Sequence, residues 1–291
     1  MATYKEVTNY RILKPGIGLS LLGCMFLFCL IVASLLIGLL PRLIERPESA
    51  IRIGTVVQDF MVFILPAIAT ALAASRLPAR LLAVDRWAGW RGILFTLLVM
   101  CLSVPAMNMV IEWNQDIHLP ASMAALESQM RAMEEAASAS AEMLIGGSGI
   151  GSLIVSVLIV GVLAGFSEEL FFRGALQRLL CMTSMNKHVA IWLTAFIFSA
   201  VHFQFFGFVP RMLLGAFFGY LLWWSGSLWL PVIAHIFNNT LVVISEYVSD
   251  NNIASFDIDS VGTTSVPLVI ASLLLTIAGL WWLRRNLSEQ Q

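Results

Sequence analysis

The chain has little charge. Of its 291 residues only 12% are Asp, Glu, Lys or Arg, about half the ~25% of an ordinary soluble domain. Hydrophobic residues make up 59%, and the mean hydropathy is +0.85. This scarcity excludes a soluble globular domain. Neither sign of charge is in excess: 17 basic and 18 acidic residues leave a formal net charge of -1. Nothing basic therefore points to nucleic acid, no acidic tail points to disorder, and partners are to be sought in or through a membrane. Cysteine is also scarce. Cys24, Cys29, Cys101 and Cys181 sit in apolar stretches without CxxC spacing, which indicates neither a disulfide framework nor a thiolate zinc site and leaves them as small core hydrophobes. No internal repeat, low-complexity segment or HExxH pattern is present, and no inverted repeat of broken helices points to a transporter.

What the chain does have is long apolar runs. A bilayer core of ~30 Å takes about 20 apolar residues in a helix, because backbone polar groups must pair internally there. Eight segments qualify, some of them short: Ile17–Leu40, Gly54–Ala74, Gly92–Ile111, Ile150–Cys181, Val189–Phe206, Val209–Trp224, Leu228–Ser245 and Val266–Leu283. The expected fold is all-α, a polytopic membrane bundle of about eight transmembrane helices. The first run is longer than the ~7–15-residue core of a signal peptide and lacks a small-x-small cleavage site, so it reads as a retained span. Three regions follow: 1–148 with three spans and a long outer loop, 149–248 with the polar-bearing spans, and 249–291 with an outer loop and the last span.

Loop cations orient the bundle. With both termini cytoplasmic, Lys5, Arg11, Lys14, Arg76, Arg80, Arg86, Arg91, Arg178, Lys187, Arg284 and Arg285 lie inside. Arg42, Arg46, Arg52, Arg131 and Arg211 lie outside, and the imbalance satisfies the positive-inside rule. The acidic residues of the two long outer loops, Glu112 to Glu142 and Glu246 to Asp259, fall outside as well. In the first of these loops Leu126, Met130 and Met133 recur at helical spacing among Glu127, Arg131, Glu134 and Glu135. This is a surface helix, read as lying at the membrane interface rather than as a lid. Gly146, Gly147, Gly149 and Gly151 break the chain after it.

Ionisable side chains inside spans cost ~2.5–3.5 kcal/mol each on insertion scales, so each asks for a partner or a role. The fourth span, in GFSEELFFRGALQ, carries Glu168, Glu169 and Arg173. Glu169 and Arg173 stand at i and i+4 on one face and can pair. Glu168 points about 100° away and has no local cation, which suits a general base or acid. The fifth span supplies His202 from FSAVHFQFF, and the seventh supplies His235 and Asn239 at i and i+4 from WLPVIAHIFNNTL. Glu168 and His202 each lie ~20 Å along their helices from the cytoplasmic end, whereas His235 lies only ~10 Å from the start of its helix. For all three to meet, that seventh helix must begin deeper in the protein or tilt. A base, two imidazoles and an amide are the equipment for hydrolysis at a carbonyl.

The ordered triple Glu168-Glu169-x-x-x-Arg173, Phe198-x-x-x-His202 and His235-x-x-x-Asn239 resembles the signature of the CPBP family of intramembrane proteases, also called Abi. That family includes the type II CAAX prenyl endopeptidases and bacteriocin-processing or bacteriocin-immunity membrane proteins. The resemblance spans roughly Gly149 to Tyr247. It implies a membrane-embedded endopeptidase, expected in the inner membrane of a prokaryote, with a cavity open to the cytoplasmic leaflet. It also implies Glu168 as the base on water, His202 as its partner, His235 and Asn239 as oxyanion stabilisers, and Glu169 with Arg173 as a supporting pair. The expected substrate is a membrane-associated or lipidated peptide. Zinc on Glu168, His202 and His235 and a metal-free glutamate mechanism both fit these residues. A non-catalytic peptide-binding, immunity or regulatory protein and a small-molecule transporter are the alternatives from other classes.

Overall fold

The computed structural model describes residues 10–147, 149–253, 258, 261–262 and 264–288. Lys5, Asp257 and Asp259, used above for orientation, lie outside the described residues, as do the two ends of the chain. The described residues are helical, with no strand beyond one isolated bridge between Arg11 and Ser75. We number the main helices α1 (Pro15–Leu43), α2 (Pro47–Ala74), α3 (Trp90–Gln115), α4 (Ala124–Ile145), α5 (Ile150–Cys181), α6 (Lys187–Ala200), α7 (Phe208–Ser225), α8 (Trp229–Asp250) and α9 (Val266–Ser288).

Six described helices are long and apolar enough to cross a membrane: α1, α2, α3, α5, α7 with its leading turn from Phe205, and α9. The chain is thus an integral membrane protein of a lipid bilayer. The expected fifth span, Val189–Phe206, is a shorter apolar helix, α6, of 14 residues followed by a turn. α8 is 22 residues long, and it carries His235, Asn238, Asn239, Glu246 and Asp250 among its apolar residues.

Helix ends follow local chemistry. Pro15 and Pro47 stand in the first turns of α1 and α2, where a missing N–H leaves no bond broken. Asn186 caps α6 by accepting from the His188 N–H at 2.9 Å. Gly226, in the left-handed region at φ 68°, ends α7. α5 is the central helix. It packs against α1, α2, α6, α7 and α8, and one apolar core gathers around its Leu170, Phe171, Phe172 and Leu179. A second core forms where α3, α7, α8 and α9 meet, around Phe218, Leu221, Leu230 and Leu283. α1 and α9 turn large apolar side chains such as Phe28, Leu35 and Leu274 outward, as lipid-facing surfaces require.

The depth of α8 settles the mismatch for His235. Ser227, Leu228 and Leu230, at the start of α8, are buried. The segment after the short helix Pro78–Leu81 folds over them. Ala83 O accepts from Leu228 N at 2.9 Å, Val84 O from Trp229 Nε1 at 3.0 Å, and Arg86 O from Ser227 Oγ at 2.6 Å. Donors at a helix N-terminus need acceptors when no water is near, and these carbonyls let α8 begin inside the protein.

α4 packs over one end of the bundle. Arg52 of α2 reaches Leu144 O, Gly146 O, Ser152 Oγ and Ser156 Oγ. Glu134 Oε2 accepts the Phe206 N–H at 3.1 Å, and the Arg131 guanidinium lies 4.1 Å from the Phe206 ring centroid. At the other end of α4, Glu127 accepts from Leu119 N, His118 and Arg131. The Leu119 N–H first, then His118 and Arg131, hold its carboxyl down at about 2. Because the folded value is lowered, this anchor is complete above the ordinary range near ~4.3 and is lost as pH falls toward the folded value.

Helix crossings rest on small residues. A Cβ on Gly165 of α5 would stand 3.1 Å from Ile236 N and 3.3 Å from Ile236 Cα on α8, and backbone cannot step aside. We expect Gly165→Val to lower stability by ~1–3 kcal/mol through overpacking. Gly23→Ala, with nothing within 4 Å of its Cβ, should leave the midpoint of thermal unfolding in detergent unchanged. Equal midpoints for both variants would contradict this packing.

Candidate active site

The site is built on α5. A single α-helical stretch, Gly165–Glu169, is flanked by two π-helical stretches, Val157–Ala164 and Leu170–Gln177. A third π stretch, Asp59–Ile64 of α2, packs against both Gly165–Glu169 and Leu170–Gln177. π turns widen the helix by a residue and recur at functional sites. The three stretches surround the two glutamates.

Glu169 and Arg173 are both 0% exposed. Arg173 Nη1 donates to Glu169 Oε1 at 2.6 Å, and Nη2 donates to Gly215 O on α7 at 2.9 Å. The guanidinium is boxed by aromatic rings, with centroids at 4.4 Å for Phe198, 5.5 Å for Phe218 and 5.9 Å for Phe172. Such cation–π contacts replace part of the hydration that burial removes. The same Glu169 Oε1 accepts from His235 Nδ1 at 2.9 Å. One carboxylate oxygen therefore ties α5 to α8, while its arginine ties α5 to α7.

This contact fixes the imidazole of His235. With Nδ1–H on Glu169, Nε2 is directed toward Glu168, 3.8 Å from its Oε2. The Glu168 side chain is 14% exposed, in contrast with the sealed Glu169. Adjacent in sequence, the two glutamates flank the same imidazole from different surroundings: Glu169 anchors, and Glu168 remains open.

His202 sits beyond α6, in the turn Val201–Phe203, and not on the helix. Ser199 Oγ donates to Phe208 O at 2.7 Å across this turn. Phe203 stands at φ 54°, a left-handed conformation that a bulky residue seldom adopts. His202 Nδ1 donates to Phe198 O at 2.7 Å, which leaves Nε2 unassigned within the turn. The imidazole lies within electrostatic range of Glu168, His235 and Arg211. The Phe198 ring stands between the two histidines, 5.1 Å from His202 and 5.9 Å from His235. Asn239 lies one turn beyond His235 and donates Nδ2–H to Val160 O at 3.1 Å, in the first π stretch of α5.

Thus Glu168, Glu169, Arg173 and His235 are in direct contact, His202 faces them, and Asn239 braces α8 on α5. Two residues belong to this neighbourhood that the sequence reading did not single out for it. Asp59 is 2% exposed, bonds to the Ser167 hydroxyl and interacts with Glu168. It lies inside the second expected span, where the rule applied to Glu168 would have flagged it. Arg211, counted above only as an outer cation, interacts with Glu168 and His202.

Among the described residues no three His, Cys, Asp or Glu side chains gather as a metal-holding group. The Nδ1 bonds of His235 to Glu169 and of His202 to Phe198 O leave each Nε2 open, an arrangement common to ligating and non-ligating imidazoles. In this arrangement Glu168, His202 and His235 are not gathered as one ligand group, and the mechanism uses no metal.

Removing one member of a buried ion pair strands the other, a loss of ~3–5 kcal/mol. We expect Arg173→Met to lower the thermal midpoint in detergent strongly and the double variant Glu169→Gln/Arg173→Met to recover part of the loss. A double variant no better than the single one would mean that the pair is not the anchor.

With this geometry in hand, residues 150–241 match the family model described as Rce1-like, type II CAAX prenyl endopeptidase Rce1-like. Glu168, Glu169, Arg173, His202, His235 and Asn239 all fall within the match. A curated relative, the "Uncharacterized protein YpbD" of Bacillus subtilis (strain 168), is 29% identical over 86 residues, covering 28% of this chain and 41% of that protein. The chain therefore spans less than half the length of that relative. No solved structure gives a significant match. Over residues 150–241 the chain is similar to the Rce1-like type II CAAX prenyl endopeptidases.

Proposed function

We propose that the chain is an intramembrane endopeptidase that cleaves membrane-associated or lipidated peptides with a water activated by Glu168. In this reading the bundle crosses the membrane eight times, α6 and α8 included, with both termini cytoplasmic, in the inner membrane of a prokaryote. The polar-bearing region 149–248 is its catalytic core. The observation that carries the reading is the division of labour between adjacent glutamates: Glu169 is locked to Arg173 and His235, while Glu168 stays open 3.8 Å from the His235 Nε2.

Glu168 takes a proton from the attacking water and later returns it to the leaving amine, the role of a general base that becomes a general acid. A separation of 3.8 Å lets Glu168 and His235 touch the same water. His202 flanks that water from the turn after α6. When Nε2 of His235 holds a proton, the Glu169 carboxylate on Nδ1 balances the imidazolium charge, so the ring can donate to the tetrahedral oxyanion. Asn239 gives one amide hydrogen to Val160 O and keeps a second for the same oxyanion.

The test is peptide cleavage by purified protein in liposomes. Glu168→Ala and His202→Ala should each abolish cleavage while the thermal midpoint holds, and full activity in either variant would overturn the assignment. A chelator should leave the wild-type rate unchanged under this mechanism, whereas loss restored by zinc would establish a metal site. A biological effect that survives Glu168→Ala would instead favour a binding or immunity protein.

A further inference from the structure

His202 is not held by a helix. It lies past the last residue of α6, in a turn that runs on through the left-handed Phe203, and its imidazole bonds back to Phe198 O. A group that flanks a reacting water must stay within ~0.5 Å of its productive place, and a turn opens more readily than a packed helix. What steadies this turn comes from elsewhere in the chain.

Two other helices grip the segment between His202 and α7. From the last turn of α3, the buried Asn114 donates Nδ2–H to Phe205 O at 3.1 Å and accepts from Val209 N at 2.7 Å. From α4, Glu134 Oε2 accepts the Phe206 N–H at 3.1 Å, and the Arg131 guanidinium covers the Phe206 ring at 4.1 Å. Phe206 is 6% exposed beneath them.

Between its anchored ends, α4 is shaped for that contact. Glu127, Met130, Arg131 and Glu134 recur at i, i+3, i+4 and i+7 and form a half-buried stripe against the bundle. Glu127 Oε1 accepts from Arg131 Nε at 2.9 Å and so steadies the guanidinium over the ring. A helix that packs for stability buries its apolar side chains. Here Ile145 alone is fully buried, and Leu126, Met133 and Met143 are 44%, 45% and 44% exposed. The charged residues face in and the large apolar ones face out. α4 also lies outside the matched residues 150–241, although it touches the turn that carries a residue of the site.

We propose that Glu134 and Arg131 are positioning residues: through Phe206 they fix the turn that carries His202, so that α4 sets the place of that imidazole. The effect on rate rests on the peptidase reading, while the hold on the imidazole does not.

Peptide cleavage in liposomes measures the effect on rate. Glu134→Ala removes the acceptor for the Phe206 N–H, and kcat should fall about tenfold, the weight of one hydrogen bond to a charged group. KM should stay within about twofold and the thermal midpoint should hold, because neither substrate contacts nor the core are altered. Glu134→Gln keeps an oxygen for that N–H and should restore most of the rate. Glu135→Ala removes the same charge from an exposed neighbour and should match the wild type. Arg131→Gln, which takes the cation off the Phe206 ring, should lower kcat as well. A wild-type kcat in Glu134→Ala or in Arg131→Gln would overturn the role of the residue changed. Equal losses in Glu134→Ala and Glu134→Gln, or in Glu134→Ala and Glu135→Ala, would trace the effect to charge and overturn the contact. Histidine-selective NMR in detergent needs no activity, and single substitutions tell the four histidines apart. The His202 ring signal should be sharp in the wild type and in Glu134→Gln and exchange-broadened or split in Glu134→Ala, while His188, at the other end of α6, keeps its signal. If the wild type cleaves no peptide, the peptidase reading fails and this signal decides the proposal. A His202 signal identical in the wild type and Glu134→Ala would overturn it.

Discussion

Arg173 and Glu169 form an ion pair with no access to solvent, and the rest of the site is arranged around it. Taking two charges out of water carries a penalty of several kcal/mol per ion, which their attraction offsets only when geometry is good and further bonds satisfy both groups. Here the arginine has Gly215 O and three aromatic faces, and the glutamate has His235. Glu169 Oε2 and Arg173 Nε remain unpartnered. The pair is therefore a weak source of stability but a strong source of specificity. Separating α5 from α7 and α8 would leave these charges without their partners in the interior.

That constraint explains the small residues and the widened turns around it. Gly215 brings the backbone of α7 close enough for its carbonyl to meet the guanidinium, and a Cβ there would sit 3.1 Å from Arg173 Nη2. Gly165 does the same for α8, so that His235 reaches Glu169. The π stretches on either side of Gly165–Glu169 rotate the flanking apolar faces of α5 away from a single straight stripe. The helix can then pack on five neighbours while both glutamates keep their separate directions. Function follows from that asymmetry. One carboxylate is consumed in holding the bundle and orienting an imidazole, and its neighbour is left available for a proton.

Much of this was legible in the residue order. The runs of apolar residues marked the helices, and the rarity of charge made Glu168, Glu169 and Arg173 stand out. The i, i+4 spacing foretold the ion pair. Asn239 on the face of His235 was legible too, although its bond to Val160 O was not. His202, read as part of a helix, lies in a turn, because the aromatic run Val201–Phe206 continues the apolar pattern of the helix before it. Periodicity does not register a left-handed residue at Phe203. The deep start of α8 was equally hidden, since the carbonyls that cap it belong to residues 83–86, more than a hundred positions earlier. Asp59 was within reach of the same insertion argument and was passed over, having no charged neighbour in sequence to draw attention to it.

The sequence by itself determined that this is an all-helical membrane protein and which charged residues must find one another, because hydrophobic length and insertion penalties are local and additive along the chain. Only the tertiary structure decided which glutamate anchors and which stays open, at what depth His235 enters, and that α3 and α4 grip the turn that carries His202. Those outcomes depend on contacts between helices far apart in sequence, where burial and hydrogen-bond geometry are set by the neighbour and not by the residue.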